Sequence, residues 1–99
     1  MKNNIHLSIQ IVPLQITNQQ HPYAIIDKAI EAIDQSGLSY QVSAMETVIE
    51  GSYDKVMEVA KKAQEICFAE GANELVVNIK LHIRKDGDIT FHEKMEKYS

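Results

Sequence analysis

Leu75-Val76-Val77-Asn78-Ile79-Lys80-Leu81-His82-Ile83-Arg84 is the stretch that decides the architecture. Leu75, Val77, Ile79, Leu81 and Ile83 fall on one side of an extended chain, and Val76, Asn78, Lys80, His82 and Arg84 fall on the other. A period of two held this long is a strand with one buried face. The same arithmetic at the other end sets Ile5, Leu7, Ile9 and Ile11 against His6, Ser8, Gln10 and Val12. Pro13 is expected to end that strand, and residues 15–20, with Thr17 and Asn18, form a polar loop. Pro22 then opens a helix in which Tyr23, Ile26, Ile30 and Ile33 recur at helical spacing, with Gly37 as its left-handed stop. Leu38, Tyr40 and Val42 alternate with Ser39, Gln41 and Ser43 to give a second strand. A turn at Ala44 and Met45 leads into a third, Glu46 to Glu50, with Thr47 and Ile49 pointing away from the face of Glu46, Val48 and Glu50. Gly51 is expected to break it and Ser52 to cap the next helix, whose first turn holds Asp54 where its charge complements the dipole. Val56, Val59, Ala60, Ala63 and Cys67 form that helix's apolar stripe, and Gly71 stops it. Beyond the decisive strand, residues 85–88 read as a turn, and the tail from Ile89 reads as a short helix.

The order is β-α-β-β-α-β. Right-handed crossovers place both helices on one face of a four-stranded antiparallel sheet, so the expected class is an α+β, ferredoxin-like fold with strand order 4-1-3-2. A swapped or extended variant of the same units is the alternative. With 99 residues, 44% of them hydrophobic, one domain spanning residues 1–99 is expected. The single cysteine, Cys67, excludes an intramolecular disulfide and a CxxC redox or metal site, and its apolar stripe makes it a core residue. The opening residues lack the apolar run of a secretory signal, and no segment has the roughly 18 apolar residues of a membrane helix. A cytosolic protein is expected. The net charge of −4, with Arg84 the single arginine, argues against a duplex-binding surface.

The isoleucine-rich side of the sheet must meet the helices, which leaves the other side solvated or buried at an interface. In the expected strand order this face gathers His6, Ser8 and Gln10 centrally, Glu46 and Glu50 on one flank, and Asn78, Lys80 and His82 on the other. RNA-binding sheets of this topology stack bases on aromatics of the central strands, and those positions here carry no Phe or Tyr. The loop after the first strand has no cysteine for metal delivery and no arginine to cradle an acyl phosphate. His6 and His82 lie on neighbouring strands, but three or four converging ligands are needed for zinc, so no metal site is expected. No nucleophile, base and orienting group assemble from this sequence, so an enzyme is not expected.

The third strand carries a more specific pattern. Glu46-Thr47-Val48-Ile49-Glu50-Gly51, followed by Ser52-Tyr53-Asp54-Lys55-Val56-Met57, resembles the T-x-I-E-G-x-x-D-x-V-M signature of the thiamine-binding protein family, the small YkoF-like proteins. Ser8-Ile9-Gln10-Ile11-Val12-Pro13 resembles that family's opening strand, Gly37-Leu38-Ser39-Tyr40-Gln41-Val42 its second, and residues 78–84 its closing strand. The resemblance runs over nearly the whole chain. Two departures stand near where a ligand would enter: Leu14-Gln15 where a glycine often follows the proline, and Glu46 where the residue before the threonine is commonly small.

The resemblance implies a cytosolic protein assembled as dimers and often tetramers through sheet faces and edges. It also implies that thiamine or its hydroxymethylpyrimidine part is bound without a catalysed reaction and with no further cofactor. Thiamine offers a cationic thiazolium and an aminopyrimidine with adjacent donor and acceptor nitrogens, which carboxylates, hydroxyls and amides can match. Glu46 and Glu50 are the expected carboxylates. Ser8, Gln10, Ser43, Thr47 and Asn78 are the expected hydrogen-bonding groups, and Tyr23 or Tyr40 can stack on a ring. Core packing is the competing role for Tyr40, and a helix-facing orientation the competing one for Thr47. The competing function is a structural or regulatory homo-oligomer with no small-molecule ligand.

Overall fold

The structure, a computed structural model, describes residues 2–96. Seven elements follow in order: β1 (Asn4–Ile16), α1 (Pro22–Gln35), β2 (Ser39–Val42), β3 (Thr47–Ser52), α2 (Tyr53–Ala69), β4 (Ala72–His82) and α3 (Phe91–Glu96). The strands form one antiparallel sheet ordered β2-β3-β1-β4, the order the crossovers require. Leu7 lies between Ile49 and Leu81, and Ile9 between Thr47 and Ile79, so each odd-numbered position of β1 meets an apolar row or Thr47. Against this face pack Ile25, Ala29 and Ile33 of α1 and Val56, Ala60, Ala63 and Cys67 of α2. Each isoleucine withdrawn from water here contributes about 1.5–3 kcal/mol. Burial also pushes the Cys67 thiol up from its ordinary pKa.

Four local expectations need correction besides one in β4, an edge strand whose Ile79 and Leu81 are 38% and 39% exposed and so do not form a buried face. In α1 the buried set is Ile25, Ala29, Ala32 and Ile33, while Tyr23 is 72% exposed. Ala24, Ile25 and Ala29 widen the apolar arc of this helix, and isoleucine spacing alone picked a line at its margin. Second, β1 does not end at Pro13 but pairs with β4 as far as Ile16↔Ala72. Its pairing with β3 stops at Ile9↔Thr47, so from residue 10 onward one side of β1 has no neighbouring strand. A residue without an N–H is accommodated along such an edge. Gln15, at φ 51°, is skipped between the pairs Leu14↔Glu74 and Ile16↔Ala72.

Third, Gly51 does not break β3 but sits inside it, opposite Ile5. A Cβ there would lie 3.2 Å from Leu38 and 3.3 Å from Val56, so the glycine lets these side chains close tightly over the strand. Gly37, at φ 80°, is the left-handed stop expected after the first helix. Ser52 does occupy the N-cap of α2, but its side chain makes no capping bond.

Fourth, the polar face is not simply solvated. The short helix expected in the tail, α3, lies over one end of it, with the Phe91 ring 4.3 Å from the His6 ring. The Ile89 side chain is fully buried, and its N–H donates to the Asn4 carbonyl at 3.0 Å. Thr90 Oγ1 accepts from the Glu93 N–H at 3.0 Å, which is the N-terminal half of a capping box. Glu93 itself turns to Arg84 Nη2 at 2.9 Å.

Candidate ligand-binding site

Strand pairing sets the polar face out in rows. His6 lies between Glu50 and His82, Ser8 between Val48 and Lys80, and Gln10 faces Asn78. The row under α3 is closed. His6 is only 2% exposed, with Nε2 at 2.9 Å from Glu50 Oε1 and Nδ1 at 2.8 Å from Lys94 Nζ. An ammonium can only donate, so Nδ1 accepts and the ring proton sits on Nε2, donated to the carboxylate. Glu50 Oε1 also accepts the Phe91 N–H at 2.6 Å. Burial holds the His6 pKa below its ordinary value against the opposing pull of Glu50, and burial likewise lowers Lys94. This chain of donors and acceptors ties α3 to the sheet, so the Glu50 carboxyl is committed within the fold.

The next row lies at the bottom of a cleft of about 330 Å³ lined by Ser8, Glu46, Lys80, His82 and Lys94. Lys80 on β4 reaches Glu46, at the foot of β3, with Nζ 3.4 Å from Oε2. Because β1 lies between those strands, the ion pair crosses above it. Ser8 beneath is 9% exposed, and its Oγ has no hydrogen-bond partner among the described residues. That hydroxyl nonetheless stands near enough to hold the Glu46 carboxyl below the ordinary carboxylate range, with Lys80 acting in the same direction.

A second cavity, of about 160 Å³, opens where β3 leaves β1. Ile9, Ile26 and Ile30 wall it, and Gln10, Tyr23, Ser43, Glu46 and Thr47 supply its polar groups. Thr47 points to the helix side, as its odd-numbered place in β3 requires, and is buried. Ser43 Oγ is turned back onto the Glu46 carbonyl at 2.8 Å, which shapes the β2–β3 turn. Glu46 borders both cavities.

The eight expected site residues therefore do not form one cluster. Gln10, Tyr23, Ser43, Glu46 and Thr47 meet at the smaller cavity, Ser8 joins Glu46 in the cleft, and Glu50 lies under α3. Asn78 Nδ2 donates to Gln10 Oε1 at 3.2 Å beside them. Tyr40 is half-buried and donates its hydroxyl to Asp34 at 2.8 Å, a link between β2 and α1. Sequence reasoning missed Lys94 and Phe91. The Thr90-x-x-Glu93 pattern marks the helix that carries them, but nothing local says which face it covers. Among the described residues no group of three or more His, Cys, Asp or Glu side chains is arranged to hold a metal ion.

The sequence profile described as thiamine-binding protein matches residues 7–99. This chain belongs to the thiamine-binding protein family. A UPF0045 protein of Clostridium perfringens is 39% identical over 93 residues, covering 94% of this chain and 95% of that one. Among solved structures, a domain of unknown function (DUF77) from Bacillus cereus superposes with a TM-score of 0.90 at 39% identity, covering 98% of this chain and 91% of its own. A candidate thiamine biosynthesis/salvage protein from Thermotoga maritima superposes with a TM-score of 0.83 at 28% identity, covering 97% and 99%. The family is one of binding proteins, and the ferredoxin-like fold is shared along the whole chain. No described helix of this family member is long and apolar enough to cross a membrane.

Proposed function

We propose that this chain binds thiamine, or its hydroxymethylpyrimidine half, in the cavity where β3 leaves β1, and holds it without transforming it. The observation that carries this reading is the cavity itself: apolar walls around a small set of convergent polar groups, one of them a carboxylate, in a member of the thiamine-binding protein family. A volume of about 160 Å³ is below the roughly 300–1,000 Å³ of sites that enclose drug-sized ligands, so it suits the pyrimidine ring with the thiazolium at the mouth. Glu46 accepts from the exocyclic amine, Gln10 and Thr47 serve the ring nitrogens, and exposed Tyr23 closes over the ring. Such a protein serves vitamin salvage, buffering or sensing in the cytosol. Calorimetric titration with thiamine and with hydroxymethylpyrimidine tests this. Both are expected to bind, and Glu46→Gln is expected to weaken thiamine about ten- to a hundredfold through loss of a charge-assisted hydrogen bond. No heat with either ligand in the parent protein removes the reading.

A second reading, a homo-oligomer with no small ligand, is favoured by the side of β1 beyond Ile9 that lacks a strand neighbour, and by exposed Val12 and Val76 on the polar face. Dimers or tetramers through sheet faces and edges would cover both. A stable species of 11.2 kDa by light scattering at micromolar concentration counts against it.

A further inference from the structure

The cleft beside the pyrimidine cavity has no part in the reading above, and its construction is unusual for a polar sheet face. The buried Ser8 hydroxyl makes no direct hydrogen bond of good geometry, and the Glu46 carboxyl stands near it. Charged side chains stand around it: the Lys80–Glu46 pair across β1, and Lys94 reaching in from α3. Lys80 remains mostly exposed in this pair, and ion pairs of that kind hold together by only about 0–1 kcal/mol, so the pair separates at little cost. Once Glu46 turns away, the cleft presents two ammonium groups, the His82 imidazole and a hydroxyl donor with nothing to donate to. That donor set suits a compact oxyanion.

We propose that the cleft over Ser8 is a phosphate site, and that this chain takes its ligand as a phosphate monoester. The cleft stands on its own residues; that the phosphate belongs to a pyrimidine or thiamine ester rests on the function proposed above. Glu46 couples the two cavities because it borders both. A ligand amine that claims Glu46 releases Lys80, and the freed ammonium turns to the phosphate. Ser8 Oγ donates to one phosphate oxygen, and Lys94 keeps its bond to His6 while a second of its N–H groups faces the anion. Binding of the ring thus opens the place for its own phosphate.

The test compares thiamine with thiamine monophosphate by calorimetry, on the parent chain and on Lys80→Gln. The monophosphate is expected to bind the parent about tenfold or more tightly than thiamine. Lys80→Gln is expected to erase that advantage while thiamine keeps or gains affinity, since Lys80 no longer competes for Glu46. The Lys80 side chain is largely exposed, and an unchanged circular dichroism spectrum will establish that the variant is folded. Equal affinities of the two ligands for the parent overturn the phosphate site and leave the pyrimidine cavity standing. Should neither ligand bind, titration with inorganic phosphate followed by amide chemical shifts becomes the probe. Saturable shifts at Ser8 and Lys80, absent in Ser8→Ala, sustain the anion site without the vitamin, and no shift there removes both.

Discussion

The two ends of the polar sheet face are written in the same alternation and have opposite fates. At one end His6 lies under Phe91, its ring nitrogens both engaged, and the Glu50 carboxylate serves two donors at once. At the other end Gln10 and Asn78 bond to each other in the open, and Val12 and Val76 are exposed side by side. Side-chain polarity does not explain the difference, because the buried end holds the more strongly polar residues. A histidine and a glutamate can be buried there because α3 returns from the far end of the chain with an amide, an ammonium and an aromatic ring to meet them. Burial of polar groups follows where partners are supplied, and not where the strand pattern alone is most apolar.

The largest way to break this contrast is to remove what anchors α3. Ile89→Ala is expected to cost about 2–5 kcal/mol in urea unfolding, since Ile89 is fully buried beneath the tail. The matching change at the bare end, Val76→Ala, is expected to stay within about 0.5 kcal/mol. Equal losses at both ends would erase the distinction. A middling effect is expected for Glu50→Gln, which keeps an acceptor for one donor and weakens both charge-assisted contacts. About 1–2 kcal/mol should be lost, with hydrogen exchange at Phe91 quickened, while Asn78→Ala changes stability by under about 0.5 kcal/mol.

The smallest effect is in pH. The folded His6 pKa lies below that of the unfolded chain, and around the ring stand Glu50 of β3, Lys94 of α3 and His82 of β4. The unfolded chain therefore takes up the proton first as pH falls. The stability contributed by neutral His6 is complete above about pH 6.5 and is lost progressively as pH drops from there toward the folded value. Proton NMR should show His6 titrating below its ordinary value of 6.5, and His6→Gln should flatten the stability profile below that pH. A His6 resonance titrating at or above 6.5 would contradict the buried, neutral ring.

Much of the site's raw material was legible. The assignment of Ser8, Gln10 and Asn78 to one face and Thr47 to the other follows from a period of two, and the strand pairing agrees with it. The T-x-I-E-G pattern placed the family, whose profile covers residues 7–99. Which carboxylate is available was not legible. Glu46 and Glu50 share a strand face and a charge, yet one borders two cavities and the other is held by His6 and Phe91. Nor was the second cavity, which exists because β3 pairs with only half of β1.

By itself the amino-acid order determined the elements, their topology and the face each strand residue occupies, because those depend on local torsional preference and on short periods of hydrophobicity. Only the tertiary structure decided that Gly51 stays in a strand, that Pro13 lies in an edge, that α3 lies on the polar face, and that Ser8 shares a cleft with a paired lysine and glutamate. Each of those outcomes depends on contacts between residues far apart in sequence. Their stability is settled by which partners the folded chain brings within a few ångströms of one another, a quantity that no local pattern carries.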